Sequence, residues 1–333
     1  MLIVSCHRSE NEMPAVERAE AIVEQDPEEA LEIMRSVDRN AITKREDLAH
    51  YALVYSEACY YNRILVSSDS LTRIAVDYYK NSSDHEHRAR SYFQHSLVLQ
   101  LNNRMPEAMI ALMESLSSLE SYDNLHLKGV VHRTMGDIYR ARYCYTNSLD
   151  AYNDAYLCFT QLELPYHCYY TKYNMGQVEL RMHNYDEAEA LFIEARDYAI
   201  ETEDYDFLCA VLHELCEIYL QKSDYAMCRA TVDMFEKYDC VLWFVSRYYA
   251  VKAIVTSEEG NNQEALRLVA MAESVDSRDE AIIEEAKYHI YNNMGDMATA
   301  NEWLQRINNR LDTMILEAAD QPVLNNQIDL LQN

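Results

Sequence analysis

One stretch of the sequence decides the fold, and it reads Asn184-Tyr185-Asp186-Glu187-Ala188-Glu189-Ala190-Leu191-Phe192-Ile193-Glu194-Ala195. Ala188, Phe192 and Ala195 are spaced i, i+4 and i+7, so they share one face of an α-helix. The small side chain of Ala188 allows a second helix to approach closely, and the ring of Phe192 fills the adjacent gap. The stretch therefore predicts a helix that packs tightly against a neighbour.

The same frame recurs along the chain. A small residue takes the Ala188 position in eight places at nearly regular intervals: Ala30, Ser70, Ala108, Ser148, Ala188, Cys228, Ala265 and Ala300. A large and mostly apolar residue follows each of them four positions later: Met34, Ile74, Leu112, Tyr152, Phe192, Val232, Val269 and Leu304. Self-similarity at a fixed period marks a repeat architecture. The sequence therefore predicts eight helical hairpins.

The first helix of a pair also carries a small residue, as Gly176 does twelve positions before Ala188. A first helix with a small residue and an aromatic, a short turn and a second helix reading Ala-x3-Phe-x2-Ala resemble the tetratricopeptide repeat (TPR). The resemblance implies an all-α fold, an α-α superhelix of about eight TPR-like hairpins whose first helices line a concave groove. The standard repeat has about 34 residues. Because the intervals here are longer than that, we expect longer helices. Repeats of this greater length also occur in bacterial peptide-sensing regulators and in sensor modules of large transcription regulators.

The composition agrees with a helical array and excludes several classes of protein. Only 5 glycines and 5 prolines occur in 333 residues. Nucleotide-binding folds need glycine where the backbone meets phosphate, and β-barrels and propellers need it at many turns. The formal net charge of −27 disfavours nucleic acid as a partner of this chain, because such binding relies on Lys and Arg. No run of 18 apolar residues is present, so no segment is expected to span a bilayer.

The repeats divide the chain into three segments. Residues 1–13 are expected to form a flexible N-terminal tail, residues 14–310 the TPR-like array, and residues 311–333 a capping helix or the start of a further helix. Leu2-Ile3-Val4-Ser5 before Cys6 resembles the end of a bacterial lipoprotein signal, the lipobox. That resemblance implies a lipid on Cys6, which would be the only membrane attachment of the chain. The alternative is an ordinary tail, because the run is too short for a whole signal peptide.

No catalytic constellation is evident in the sequence, and we expect no enzyme, cofactor or metal. His85-Glu86-His87 reads as a polar loop, because residues i and i+2 diverge on a helix. His213-Glu214 lacks the second histidine of H-E-x-x-H. The cysteines from Cys144 to Cys240 fall in helical patterns and are expected to be free, buried and hydrophobic.

The TPR resemblance also implies which side chains line the groove. They are Tyr55, Arg63, Arg90, Phe93, Arg133, Asp137, Arg140, Tyr170, Tyr173, Gln177 and Arg181. Five arginines here oppose one aspartate, so the groove is predicted to be locally positive. Arginine recognises carboxylates bidentately, which suits an acidic peptide or a free carboxyl terminus. In the alternative, the arginines pair with carboxylates of adjacent helices and the tyrosines simply pack.

These features predict a noncatalytic TPR scaffold that binds a protein or peptide. With Cys6 included, the scaffold would be anchored in a bacterial cell envelope, or it would be the sensor part of a larger regulator. The alternative is a cytoplasmic, peptide-responsive TPR regulator. A third class, an enzyme on a helical-solenoid body, has no motif in its support.

Overall fold

The computed structural model describes residues 4–275 and 280–319, with residues 327 and 331, and these ranges contain helices and no β-strand. The α-helices are α1 (Val4–Ile22), α2 (Pro27–Ser36), α3 (Arg45–Tyr61), α4 (Ser70–Tyr79), α5 (His85–Leu101), α6 (Met105–Leu119), α7 (Leu125–Ala141), α8 (Tyr145–Gln161), α9 (Pro165–Arg181), α10 (Tyr185–Glu201), α11 (Tyr205–Gln221), α12 (Tyr225–Lys237), α13 (Val245–Glu258), α14 (Asn262–Glu273), α15 (Glu280–Asn293) and α16 (Met297–Ala319). Consecutive helices pack in pairs, from α1 with α2 to α15 with α16. The prediction of an all-α fold with eight helical hairpins is confirmed.

The chain forms two compact units. The first unit extends along the described residues up to Glu163, and it contains helices α1 to α8. The second unit comprises residues 164–321, and it contains helices α9 to α16. Each unit is therefore built from four hairpins.

A recurring turn connects the helices. After α9, His183 adopts a left-handed φ of 62°, and the amide of Asn184 donates to the carbonyl oxygen of Glu179 at 2.9 Å. This backward bond is typical of the Schellman motif at helix ends. Left-handed φ values recur at non-glycine residues: Arg63, Asn103, Tyr143, Glu163, His183, Glu203, Ser223 and Asp239. These eight turns thus form without glycine, whereas Gly260 and Gly295 take a positive φ after α13 and α15.

The pairs of helices pack closely at the small residues. Ala188 is fully buried, and a Cβ added to Gly176 would lie only 2.8 Å from the ring of Phe192. The hairpin of α7 and α8 has the same arrangement, with 2.5 Å from a Cβ on Gly136 to the ring of Tyr152. Side chains of this size leave no room for an added carbon. The small-to-large pairing predicted from the sequence therefore holds these hairpins together.

The predicted frame fails in two hairpins. Ser70 is exposed at the first position of α4, and Ala75 is the buried small residue of that helix instead. The longer connection between Tyr61 and Ser70 shifts this helix relative to the others. In the last hairpin, Leu304 remains 37% exposed because it borders an open pocket.

The first and last helices cross the boundaries that were predicted for the array. Helix α1 begins at Val4, so it includes residues 4–13 of the segment that was expected to be a flexible tail. Helix α16 continues past residue 310 to Ala319 without a break. Most of the remaining C-terminal residues lie outside the described part of the chain, so the capping role of 311–333 stays a prediction.

One expectation about the cysteines is wrong. Cys209 and Cys240 form a disulfide, with their Cα atoms 5.2 Å apart, because the 3₁₀ turn Cys240–Trp243 packs against α11. Other cysteines, such as Cys158, Cys216 and Cys228, are free and buried, as expected. Burial raises the pKa of each of these three thiols above its ordinary value, which makes them unreactive.

The Ala188→Trp variant tests the helix packing. We expect it to lose about 1–3 kcal/mol of unfolding free energy or more, because the indole would force α9 and α10 apart. Urea denaturation followed by circular dichroism measures this loss. Ala190→Trp is the matched control, since Ala190 lies on the exposed face of α10. Equal stability of the two variants would contradict the packing.

Candidate functional site

An apolar pocket of about 420 Å³ lies in the first unit, between α3, α4 and α5. Tyr55 of α3 and Leu97 and Leu101 of α5 form its walls. Leu65, in the connection between α3 and α4, lies at its edge and is 80% exposed. An exposed apolar surface next to a concavity is typical of a binding site.

The loop at this pocket is held by specific hydrogen bonds. The side-chain amide of Asn62 donates to the carbonyl oxygens of Pro27 at 2.6 Å and Ala58 at 2.7 Å. The side-chain amide of Asn102 donates to the carbonyl oxygen of Ser67 at 2.8 Å. Arg63 follows in a left-handed conformation and lines the pocket. The loop therefore presents Arg63 from a fixed backbone.

Two of the eleven predicted groove residues, Tyr55 and Arg63, line this pocket. The walls also include Cys59, Leu97 and Leu101, which occupy further groove positions of the TPR frame. The sequence reasoning missed Ile64 and Leu65, because it treated the connection between α3 and α4 as a turn. Three consecutive apolar residues between two helices, Ile64 to Val66, were the signal that could have revealed them.

Arg90 and Phe93 do not lie free in a groove. The guanidinium of Arg90 donates to both carboxylate oxygens of the buried Glu57, at 2.8 and 2.6 Å, and lies 2.7 Å from Glu20. Burial opposes its charge, but these carboxylates raise the pKa of Arg90 above its ordinary value. Phe93 is buried and packs edge-on against Tyr60. Both side chains therefore contribute to packing and internal pairing.

Internal contacts also engage the predicted groove residues of α7. Tyr152 donates to Asp137 at 2.7 Å, and Arg140 donates to the Tyr152 oxygen at 3.3 Å and to Asp137 at 3.5 Å. The guanidinium of Arg133 lies over the ring of Phe159, 5.5 Å from its centroid. Each predicted positive side chain here has a partner within its own hairpin.

In the second unit, the predicted groove residues of α9 pack against α11. The rings of Tyr170 and Tyr173 lie 5.8 and 5.6 Å from that of Phe207. Gln177 donates to Glu214 at 2.8 Å, and Tyr173 donates to it at 3.3 Å. These three side chains therefore hold two neighbouring first helices, α9 and α11, against each other.

Arg181 lines a second pocket, of about 560 Å³, formed within the second unit by α9, α11, α15 and α16. Its charged lining includes Glu217, Glu285 and Arg310. Burial, with help from the charge of Glu217, raises the pKa of Glu285 to about 7. A carboxyl group in this pocket thus titrates near neutral pH.

The side chain of Cys6 lies outside the described side chains, so the lipid on Cys6 stays a prediction. None of the described helices is both long and apolar enough to cross a membrane.

Glu285 should make stability depend on pH. Because its pKa is raised from 4.5 to about 7 in the fold, the folded state keeps a proton that the unfolded state releases between these values. Stability should therefore fall as the pH rises through this window. We expect Glu285→Gln to gain about 1–3 kcal/mol over the parent protein at pH 8 and nothing at pH 4.5. Thermal melts at both pH values check this.

Glu284→Gln is the control, because Glu284 lies 3.0 Å from Arg310 and loses an ion pair on substitution. It should not gain stability at pH 8. A gain in stability for Glu285→Gln that does not change with pH would show that the folded protein does not keep a proton on Glu285.

No family model and no curated protein matches the chain. Solved structures do. The apo form of RapI matches with a TM-score of 0.67 at 12% identity, covering 98% of this chain and 96% of RapI. The apo quorum sensor NprR from B. thuringiensis matches with a TM-score of 0.64 at 12% identity over 98% and 99% of the two chains. NprR in complex with its cognate peptide NprX matches at 0.57, with 14% identity over 100% and 99%.

Aspartyl phosphate phosphatase F from Bacillus subtilis also matches, with a TM-score of 0.58 at 13% identity over 92% of this chain and 85% of that one. At such identities the matches establish the fold. Together with the eight helical hairpins, they show that this chain is a TPR-like α-α repeat protein.

Proposed function

We propose that this chain is a noncatalytic, peptide-responsive TPR regulator, and that the apolar pocket between α3 and α5 receives a side chain of the peptide. The observation that carries the proposal is the pocket itself. It combines exposed apolar walls with groove positions of the TPR frame, and its size suits one or two large side chains. The likeness to NprR bound to its cognate peptide supports a peptide as the partner class.

The pocket also suggests the chemistry of the peptide. Arg63 lines it, is exposed and makes no ion pair among the described residues. An arginine beside an apolar surface suits a ligand with a carboxylate next to a large apolar side chain. At this pocket, recognition of a carboxylate depends on Arg63, because internal contacts engage Arg90, Arg133 and Arg140, and Arg181 lines the pocket of the second unit.

The lining of the pocket supports a noncatalytic role. The hydroxyl of Thr72 lies 2.9 Å from a ring nitrogen of His95, a pairing that could activate a nucleophile. Thr72 is only 2% exposed, however, and also bonds to the carbonyl oxygen of Asp69. Its hydroxyl is therefore almost buried and already engaged by two internal contacts, although Thr72 borders the pocket.

The Leu101→Asp variant tests the proposal. Peptides would be selected on the parent protein from a displayed library of random linear peptides, and a labelled synthetic copy titrated by fluorescence anisotropy. We expect Leu101→Asp to weaken binding about tenfold or more, because a carboxylate in an apolar wall must be desolvated by the ligand. Arg63→Gln should weaken peptides that carry a carboxylate and spare those that do not.

Leu157→Asp is the matched control, since Leu157 is an exposed leucine of α8 outside the pocket. It should bind like the parent protein. Failure to select any peptide, or equal affinity of the Leu101 and Leu157 variants, would refute the assignment.

A second proposal concerns location: the regulator is anchored in the bacterial cell envelope through Cys6. The disulfide between Cys209 and Cys240 favours it, because such bonds persist in oxidising compartments. A cytoplasmic location remains the alternative, in which the two thiols would be reduced.

Metabolic labelling with palmitate in a bacterial host tests the anchor. We expect the chain, expressed from its gene, to incorporate the label and to lose it in Cys6→Ala. Absence of label, or label that survives the substitution, would rule out the lipid.

A further inference from the structure

Three side chains from three different first helices converge in the first unit: Glu20 of α1, His50 of α3 and His87 of α5. Nε2 of His50 lies 2.7 Å from Oε2 of Glu20, and Nε2 of His87 lies 3.4 Å from Oε1. One potential ligand atom from each residue lies within 4.8 Å of the others. This set is held by tertiary packing and not by a local sequence motif.

Several of these buried atoms have a charged neighbour but no well-aligned hydrogen bond among the described residues. Oε1 of Glu20 and both ring nitrogens of His87 are buried and have no well-aligned hydrogen bond among the described residues. Buried polar atoms in native proteins are normally hydrogen-bonded, so such a cluster needs an explanation. A bound ion would give Nε2 of His87 a partner, while Nδ1 of the same ring faces Asp84 and Oε1 of Glu20 faces Arg90.

Neighbouring side chains hold Glu20 and His87 in orientations that suit a bound cation. Oδ2 of Asp84 lies 2.7 Å from Nδ1 of His87, on the side of the ring opposite Nε2. A carboxylate behind a histidine typically orients a metal ligand. Tyr79 stacks on His87 with 5.1 Å between the ring centroids, which fixes the plane of the imidazole. Arg90 lies 2.7 Å from Oε1 of Glu20, and the other oxygen, Oε2, remains for an ion.

We propose that Glu20, His50 and His87 bind a divalent transition-metal ion of the Zn²⁺ type. Two imidazoles and one carboxylate form a common zinc ligand set, with water as the fourth ligand. Ligand atoms about 2.0 Å from a tetrahedral ion lie about 3.3 Å apart. Nε2 of His50 and Oε2 of Glu20, which lie 2.7 Å apart, would therefore have to separate by about 0.6 Å to share such an ion. The adjoining pocket of about 510 Å³ gives access, and its mouth carries Glu17 and Glu46, which attract cations.

The ion would join the first helices of the first three hairpins. Binding to the folded state alone stabilises that state by mass action. The site would make the order of the N-terminal hairpins depend on metal, independently of whether a peptide binds in the apolar pocket.

The experiment is a Zn²⁺ titration of the metal-free protein, purified without a polyhistidine tag, in competition with a chromogenic chelator. We expect one tight site, and His50→Gln and His87→Gln should each weaken it about 100-fold or more. Asp84→Asn, which removes only the carboxylate behind His87, should weaken it about tenfold. Co²⁺ should show the visible absorption of a tetrahedral site in the parent protein and not in His87→Gln.

His85→Gln is the matched control, since His85 belongs to the same His-Glu-His tripeptide but not to the cluster. It should bind Zn²⁺ like the parent protein. Circular dichroism establishes that each variant is folded, and Glu20→Gln provides a third ligand variant if one histidine variant is not. No tight site, or equal weakening by His85→Gln and His87→Gln, would show only diffuse binding to a highly acidic chain and overturn the proposal.

Discussion

The close approach of paired helices is the constraint on which the rest of this structure depends. Within a hairpin, a small residue of one helix packs under a large residue of the other, and the apolar face that remains is buried against the next hairpin. Gly176 under Phe192 and Gly136 under Tyr152 show how tight this contact is, because not even one added carbon fits. Repetition of that contact sets the period of the array and orients each first helix toward its neighbours. The pocket, the buried charges and the histidine cluster all lie on helices positioned in this way.

The architecture could be predicted from the sequence because the packing rule is local and repeated. Eight small residues at regular intervals identified the hairpins. The repeat frame fails at Ser70, where the preceding connection is longer, and at Leu304, where the large residue borders a pocket. The disulfide was not predictable. Cys209 and Cys240 are separated by a whole helix, and their proximity depends on a 3₁₀ turn that has no strong signal in the sequence.

The candidate binding site could be predicted less well than the fold, because the residues that pair with a charged side chain lie far from it in the sequence. Arg90 occupies a groove position in the TPR frame, but its charge is taken up by Glu57 of α3 and Glu20 of α1. An arginine held by two carboxylates has little left to offer a ligand, whereas Arg63 at the pocket retains its guanidinium for one. The histidine cluster was invisible for the same reason: His87 looks like part of a polar loop until α1 and α3 bring Glu20 and His50 to it. An acidic chain with many carboxylates gives no sequence signal for which of them will converge.

The central proposal is that the first-helix face of the second and third hairpins receives a peptide. Hydrogen–deuterium exchange of the protein with and without a library-selected peptide tests it most directly. We expect added protection to be confined to the loop between Asn62 and Asp69 and to the adjoining parts of α3 and α5, because these backbone segments surround the pocket. Protection confined to other helices, such as α8, with none at this loop, would contradict the claim.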